Sequence, residues 1–291
     1  MSKPQQQKQT TALVQDPKES FAQINDFLMT KRKMIGDIAG KHLNSEQMIR
    51  MALAASSRSP KLLLCTPKSW LLALLDSAYY GLEPNPILGH AYIIPYENKR
   101  LGVLEAQFQV GYKGIILLAT EHGGFTDVEA RPVYEGELEM DRFEETPEDP
   151  RKPFRHRPLY DSKDRGEVAG VYAIGWRGTN VRPRFQYLTI EEVNEYRKRS
   201  KSRDDGPWVT DYLAMARKTA VRRMLAMAQM RGGNKVGALL EQESAHDRGE
   251  TAHAQEWKVD DEAPPVSRND ALADQLARQA AEPPPAEERG A

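Results

Sequence analysis

The sequence predicts an α+β fold, in which an antiparallel, curved β-sheet with a β-hairpin is backed by helices and lies between disordered termini. Three observations predict it. Hydrophobic residues recur at helical spacing up to about residue 80, and then alternate with polar ones between residues 90 and 110. The strands and helices that follow come in no repeating βαβ order, which excludes a doubly wound parallel sheet.

Taken in order, residues 1–17 lack hydrophobic periodicity and have no apolar run of the kind that starts a secretory leader. They read as a disordered segment, and the chain as cytoplasmic. Phe21, Ile24, Phe27 and Leu28 describe an amphipathic helix running towards Ile38. Asn44 and Gln47 make a capping box for a second helix through Ala55. Thr66 and Pro67 stand as N-cap and first position of an apolar helix to Tyr80, which Gly81 stops.

Leu104, Ala106, Phe108 and Val110 then alternate with Glu105, Gln107 and Gln109, a strand with one wet face. His90 to Tyr96 is its partner, and Glu97-Asn98-Lys99-Arg100 makes the turn of a hairpin with a basic tip at Lys99 and Arg100. Gly111 ends the second strand, and a short helix runs from Ile115 to Glu121. Further strands fall near Thr126–Glu135, Val168–Trp176 and Arg184–Leu188. Thr189 and Glu192 form a capping box for a helix that ends in Arg197-Lys198-Arg199. After a basic loop, Trp208 opens a last long helix to about Met230, stopped by Gly232-Gly233. The core is thus expected over 18–235. The acidic, Pro-rich, aromatic-poor segment 236–291 is read as disordered, with one isolated short helix at Asn269–Ala281.

Composition narrows the function. The longest purely apolar run, Trp70 to Leu75, is far short of the roughly 20 residues a membrane helix needs. Cys65 stands alone, which excludes an intrachain disulfide or a thiolate cluster and suits a small buried hydrophobe. The formal net charge is −1, but it is unevenly placed: residues 241–291 carry 13 acidic and 5 basic side chains, and residues 182–235 carry 13 basic and 6 acidic ones. Such asymmetry suggests a basic surface for a polyanion beside an acidic tail; an ordinary solvated helical face is the alternative.

The last helix concentrates that signal. Leu213, Ala216, Ala220, Met224 and Met227 form one apolar stripe, from which Lys218 and Arg222 are expected to project outward on the opposite side, flanked by Arg217 and Arg223. Two cations on adjacent turns repel unless an anion lies between them, and Arg197, Lys198, Arg199, Lys201 and Arg203 precede them in the chain. Aromatic residues are interleaved: Tyr92, Tyr96, Phe108 and Tyr112 in and after the hairpin, and Trp208. Single-strand binders join a cationic groove to aromatic platforms, although any one such ring can equally fill a core. In Gly111-Tyr112-Lys113-Gly114 the glycines permit close backbone approach and Lys113 adds charge near a helix start; a tight strand-to-helix turn explains the same residues.

No G-x-x-x-x-G-K-[ST] loop precedes Lys218-Thr219, so a P-loop ATPase is excluded. The six histidines have no metal-ligand spacing, and Asp141, Glu144 and Glu145 read as solvating a polar loop. No metal or cofactor is expected.

Several separated segments resemble, in order, the RecT family of phage and prophage single-strand DNA annealing proteins. These are Gly81-Leu82-Glu83-Pro84, Ala91 to Tyr96, Gln107 to Gly114, Val133-Tyr134, His156, Pro207-Trp208 to Asp211, and Met215 to Thr219 with Arg222-Arg223. The resemblance runs over roughly residues 20–232. It implies a core similar to that of Red beta and of the ring-forming eukaryotic annealing protein. The activity it implies is ATP-independent binding and annealing of single-stranded DNA by homo-oligomeric rings or helical filaments, without enzymatic chemistry. The partners that go with it are single-stranded DNA and the annealed duplex, with a phage exonuclease and a host single-strand binding protein as further candidates and no membrane. Groove residues carried over are Lys113, Lys218, Arg222 and Arg223, with Tyr112 and Trp208 as stacking or structural members; 236–291 becomes a candidate partner-binding tail. The rival reading, from the residues alone, is a metal-dependent DNA-processing nuclease with an unrecognised site. A third is a passive protein adaptor.

Overall fold

The computed structural model describes residues 17–40, 43–85, 87–99, 101–146, 152–178, 181–200, 203–204, 206–228 and 235–259. Expectations for residues 1–16 and 260–291, including the helix at Asn269–Ala281, lie outside this range. The described chain is mixed α and β with antiparallel sheet pairing. It divides into two compact units. The first takes the chain up to Leu75, Ile93–Phe108 and the stretch from Trp257; the second takes Asp76–Tyr92 and Gln109–Glu256.

In the first unit, α1 (Pro17–Thr30) and α2 (Arg32–Ala39) divide at Lys31 what the periodicity reads as one helix. Their buried face carries Ile24, Phe27, Leu28 and Ile35, whereas Phe21, expected on the same face, is exposed. Helix α3 (Ser45–Ala54) starts where Asn44 Oδ1 accepts from the Gln47 amide at 3.0 Å. Two short 3₁₀ turns lead to α4 (Pro67–Tyr80), capped as expected: the Ser69 amide donates to Thr66 Oγ1, and Gly81 leaves the helix at φ 72°. Trp70 is fully buried, its indole N–H donating to the Leu62 carbonyl. Strands β1 (Ala91–Asn98) and β2 (Val103–Val110) form the hairpin. Its turn lies one step later than the polar residues suggest, because Asn98 accepts from the amides of Leu101 and Gly102. Gln107 is a correction: expected on the wet face, it is buried between Ala106 and Phe108. Cys65 is buried too, and burial pushes its thiol well above the ordinary range, as befits a packing residue.

The second unit centres on a three-stranded antiparallel sheet of order β3 (Asp127–Tyr134), β6 (Val168–Trp176), β7 (Arg184–Thr189). Strand alternation gives it two different faces. Tyr172, Ile174, Phe185 and Tyr187 share one face and gather Phe143 and Phe154 into an aromatic cluster, with the Phe154 and Phe185 rings stacked 4.7 Å apart. Phe143 and Phe154 belong to β4 (Phe143–Glu145) and β5 (Phe154–His156), a small ladder where the sequence reads as a solvating loop. Glu144 and Glu145 do face outward there. On the other face Val171, Ala173 and Gly175 receive α10 (Tyr212–Ala226). The remaining elements are α5 (Tyr112–Glu121), α6 (Glu135–Glu139), α7 (Ser162–Arg165), α8 (Ile190–Arg199), α9 (Pro207–Thr210) and α11 (Lys235–Arg248). Helix α8 carries the expected Thr189/Glu192 capping box in full.

Three expectations fail in this unit. The last long helix is broken at Asp211 into α9 and α10, Asp211 having extended φ of −148°. The apolar stripe of α10 is displaced: Met224 and Ala216 are buried, but Met227 is 61% exposed. Finally, the chain after 235 does not lose structure where its composition turns acidic. Helix α11 buries Val236, Leu239 and Ala245, and residues as far as 259 are described. The acidic side chains of α11 have partners waiting on α10, which offsets the unfavourable composition.

Candidate nucleic-acid interface

The Gly111-Tyr112-Lys113-Gly114 segment joins β2 to α5 as a close-packed turn. A Cβ on Gly111 would sit 2.1 Å from the Gly89 carbonyl oxygen, and one on Gly114 would sit 2.1 Å from that of His90. Both glycines therefore serve backbone-on-backbone packing, reinforced by the Gly111 amide donating to the His90 carbonyl at 2.8 Å. Lys113 remains exposed on the first turn of α5. Tyr112 is half-buried, and burial raises its phenol above the ordinary value although the Arg217 charge opposes this.

Helix α10 carries two of the candidate cations into the interior instead of outward. Lys218 is only 8% exposed; its Nζ lies 2.5 Å from Glu243 Oε2 and donates to the Val110 carbonyl at 2.8 Å. Glu243 Oε1 accepts from the Val110 amide at 3.3 Å. The ion pair thus takes both backbone groups of the residue that ends β2, immediately before the Gly-Tyr-Lys-Gly turn. Burial pulls the Glu243 carboxyl upward, but the Lys218 and Arg222 charges outweigh it and hold the group below the ordinary carboxylate range. One turn on, Arg222 pairs with Asp247 at 2.8 Å and reaches Ser244 Oγ at 3.4 Å. Burial works against the Arg222 charge, and Glu243 and Asp247 more than compensate.

The outward projection of Lys218 and Arg222 is therefore corrected. A helix has one apolar stripe when it packs on one neighbour; α10 packs on the sheet and on α11 as well, and the second contact is ionic. The i, i+4 pair Lys218/Arg222 faces the i, i+4 pair Glu243/Asp247. That complementarity was present in the sequence and is the signal that would have found α11.

The same helix is tied back to α4. Gln242 accepts from the Tyr80 hydroxyl at 2.9 Å and donates to Asp76 Oδ2 at 2.9 Å. Asp76, buried, also accepts from His253 Nδ1 at 2.8 Å and from the Ala254 amide at 2.9 Å. On the aromatic face of the sheet, His156 Nε2 lies 3.1 Å from Glu137 Oε2, and Glu137 accepts from the Tyr134 and Leu159 amides. His156, one of the matched family residues, is part of a fully bonded internal network.

Arg199, Trp208, Lys218, Arg222 and Arg223 come together around one cavity of about 360 Å³ between α8, α9, α10 and α11. Tyr196, Met215 and Leu240 also line it, with Ser244 and the Asp247 carboxylate on the α11 side. Trp208 is 4% exposed, packed against Tyr212. Arg199 lies over the Tyr196 ring at 5.3 Å. Among the described residues neither Arg199 nor Arg223 has a carboxylate partner, and both are exposed. Arg197 and Lys198 line a neighbouring, more open depression with Glu191, Glu195, Arg203 and Asp204. There Lys198 pairs with Glu195, and Arg197 donates to the Arg203 carbonyl. Arg217 sits beside Tyr112, and Lys99 is exposed at the hairpin tip in the first unit. Arg100 and Lys201 lie outside the described residues. Among the described residues no helix is long and apolar enough to cross a membrane.

Fold and cavity together define an α+β protein whose ion-paired frame presents uncommitted guanidinium groups beside aromatic rings. The chain belongs to the RecT family, whose model matches residues 46–255. It is similar to protein RecT of Escherichia coli (strain K12), 35% identical over 186 residues that cover 63% of this chain and 66% of that protein. It is also similar to the uncharacterized protein YqaK of Bacillus subtilis (strain 168), 28% identical over 206 residues, 70% of this chain and 62% of the other. The matched part is just under two thirds of each relative's length.

Proposed function

We propose that this chain binds single-stranded DNA and pairs it with its complement without nucleotide hydrolysis, as a homo-oligomer that promotes homologous recombination. Family membership over 46–255 supports the reading. The observation that carries it to particular atoms is the cavity rim, where Arg199 and Arg223 lack carboxylate partners while the neighbouring cations are already paired. Phosphates are held at this rim, with Lys113, Arg197 and Lys198 extending the cationic track. Lys218 and Arg222 serve beneath it, fixing α11 to α10. The role is non-enzymatic: the chain neutralises phosphates, releases counterions and leaves most bases free to pair. The assembly is a ring or filament with a core like that of Red beta. A phage exonuclease, a host single-strand binding protein and the annealed duplex are its partners, and the segment after 259 is available to engage them.

The test is annealing of complementary oligonucleotides without nucleotide, together with a salt titration of single-strand binding. Replacing Arg199 and Arg223 by Ala removes two surface charges and spares the fold. The logarithmic salt slope is expected to flatten by roughly 1.4, about 0.7 for each single-strand phosphate that is no longer neutralised. An unchanged slope would remove the rim from the interface. Shortening of the DNA with divalent metal would replace annealing by nuclease action.

A further inference from the structure

A cationic rim would suffice for a phosphate track, yet this rim encloses a cavity. Its volume, about 360 Å³, lies at the low end of the range for small-molecule pockets. Its wall is divided in kind. Tyr196, Met215 and Leu240 supply apolar and aromatic surface beside a nearly buried Trp208, and the rest of the wall is polar, with Thr219, Ser244 and the paired Asp247 beside the guanidinium groups. At the cavity Lys218 is committed to Glu243, Arg222 to Asp247 and Arg248 to Glu250, whereas Arg199, which after Lys198 helps to lower the Glu195 carboxyl, and Arg223 make no salt bridge among the described residues. A flat aromatic body carrying two negative charges matches that inventory. Within a DNA strand, one nucleotide with its two flanking phosphodiesters has this composition.

We infer that the cavity seats one unstacked nucleotide of a bound single strand, its base against Tyr196, Met215 and Leu240 and its flanking phosphates on Arg199 and Arg223. This rests on the single-strand reading above and goes beyond it: the chain withdraws a base from the stack instead of following the backbone alone. Aromatic and apolar walls accept any base, because every base has a π-face, so the site is sequence-tolerant. The withdrawn nucleotide punctuates the strand, leaving the intervening bases exposed for pairing.

Ala226 offers a clean perturbation. It is the last residue of α10, exposed, and on the cavity wall, so Ala226→Trp fills the space without touching a charge or the core. The probe is oligo(dT) carrying 5-iododeoxyuridine, photocrosslinked to the full chain and mapped by mass spectrometry. Wild type is expected to crosslink at Tyr196 or Met215. In Ala226→Trp those crosslinks disappear and affinity falls about tenfold, the equivalent of one base-stacking interaction, with the salt slope unchanged. Bound oligonucleotide that crosslinks only elsewhere, or a variant with wild-type crosslinks and affinity, overturns the inference while single-strand binding stands. Absence of any salt-sensitive binding takes down the functional reading with it.

Discussion

The Lys218–Glu243 pair gives the most exacting test of how this chain is held together. Lys218→Met leaves the Glu243 carboxylate buried without the ammonium 2.5 Å away, and strips the Val110 carbonyl of its donor. Glu243→Leu leaves the ammonium buried and the Val110 amide unpaired. Each single change removes one partner of a desolvated pair and is expected to cost about 3–5 kcal/mol. The double variant removes both charges and leaves only two unpaired backbone groups, so its cost is expected near ~2 kcal/mol, far below the sum of the singles. Equilibrium urea unfolding, followed by tryptophan fluorescence and circular dichroism, measures all three and gives the coupling. Exposed cations on a solvated helix face would behave otherwise: each single would stay within about 0.5 kcal/mol and the two would add. That result would refute the buried clasp and restore the outward-facing lysine.

Truncation separates the two parts of the acidic segment: a chain ending at 259 is expected to melt as the full chain does, whereas one ending at 234 loses α11 and its cooperative transition, read by thermal circular dichroism. Gly114→Ala places a Cβ 2.1 Å from the His90 carbonyl oxygen and is expected to cost about 1–3 kcal/mol in urea unfolding, with a smaller cost refuting the tight turn. Burial pushes the His246 imidazole below its ordinary 6.5 although Glu243 pulls it up, so the folded chain takes that proton later than the unfolded one. Its contribution is full above pH 6.5 and is lost as pH falls through the lowered value; His246→Asn should flatten melting temperature against pH below 6.5.

Local chemistry was legible where one short stretch decides the outcome. Thr66-Pro67, Asn44 and Thr189/Glu192 started their helices as expected, and the strands expected near Thr126–Glu135, Val168–Trp176 and Arg184–Leu188 are those of the sheet. What escaped was decided by distant partners. Three-residue strands at Phe143 and Phe154 have no period to detect, and they exist because their rings join the Tyr172 cluster. Helix α11 looks like the start of a solvated tail until Glu243 and Asp247 are set opposite Lys218 and Arg222. For the site, residue types read as anion-binding chemistry, but a single-helix pattern could not tell an exposed cation from one that meets an internal carboxylate. Arg199, Trp208 and Arg223 did converge, whereas Arg197 and Lys198 fell in the adjoining depression.

The Asp76 carboxylate has a bearing on the order in which the chain matures. Its donors include Gln242, His253 and the Ala254 amide, the last 178 positions further along the chain. These groups lie 166 to 178 positions later in the chain, so during synthesis Asp76 stays hydrated until residues 242–254 have been made. Sheet strands can pair earlier, but the second unit cannot seal before residue 254 arrives. A chain interrupted before residue 242 therefore lacks all three of these donors, and burial of the Asp76 carboxylate is disfavoured in it.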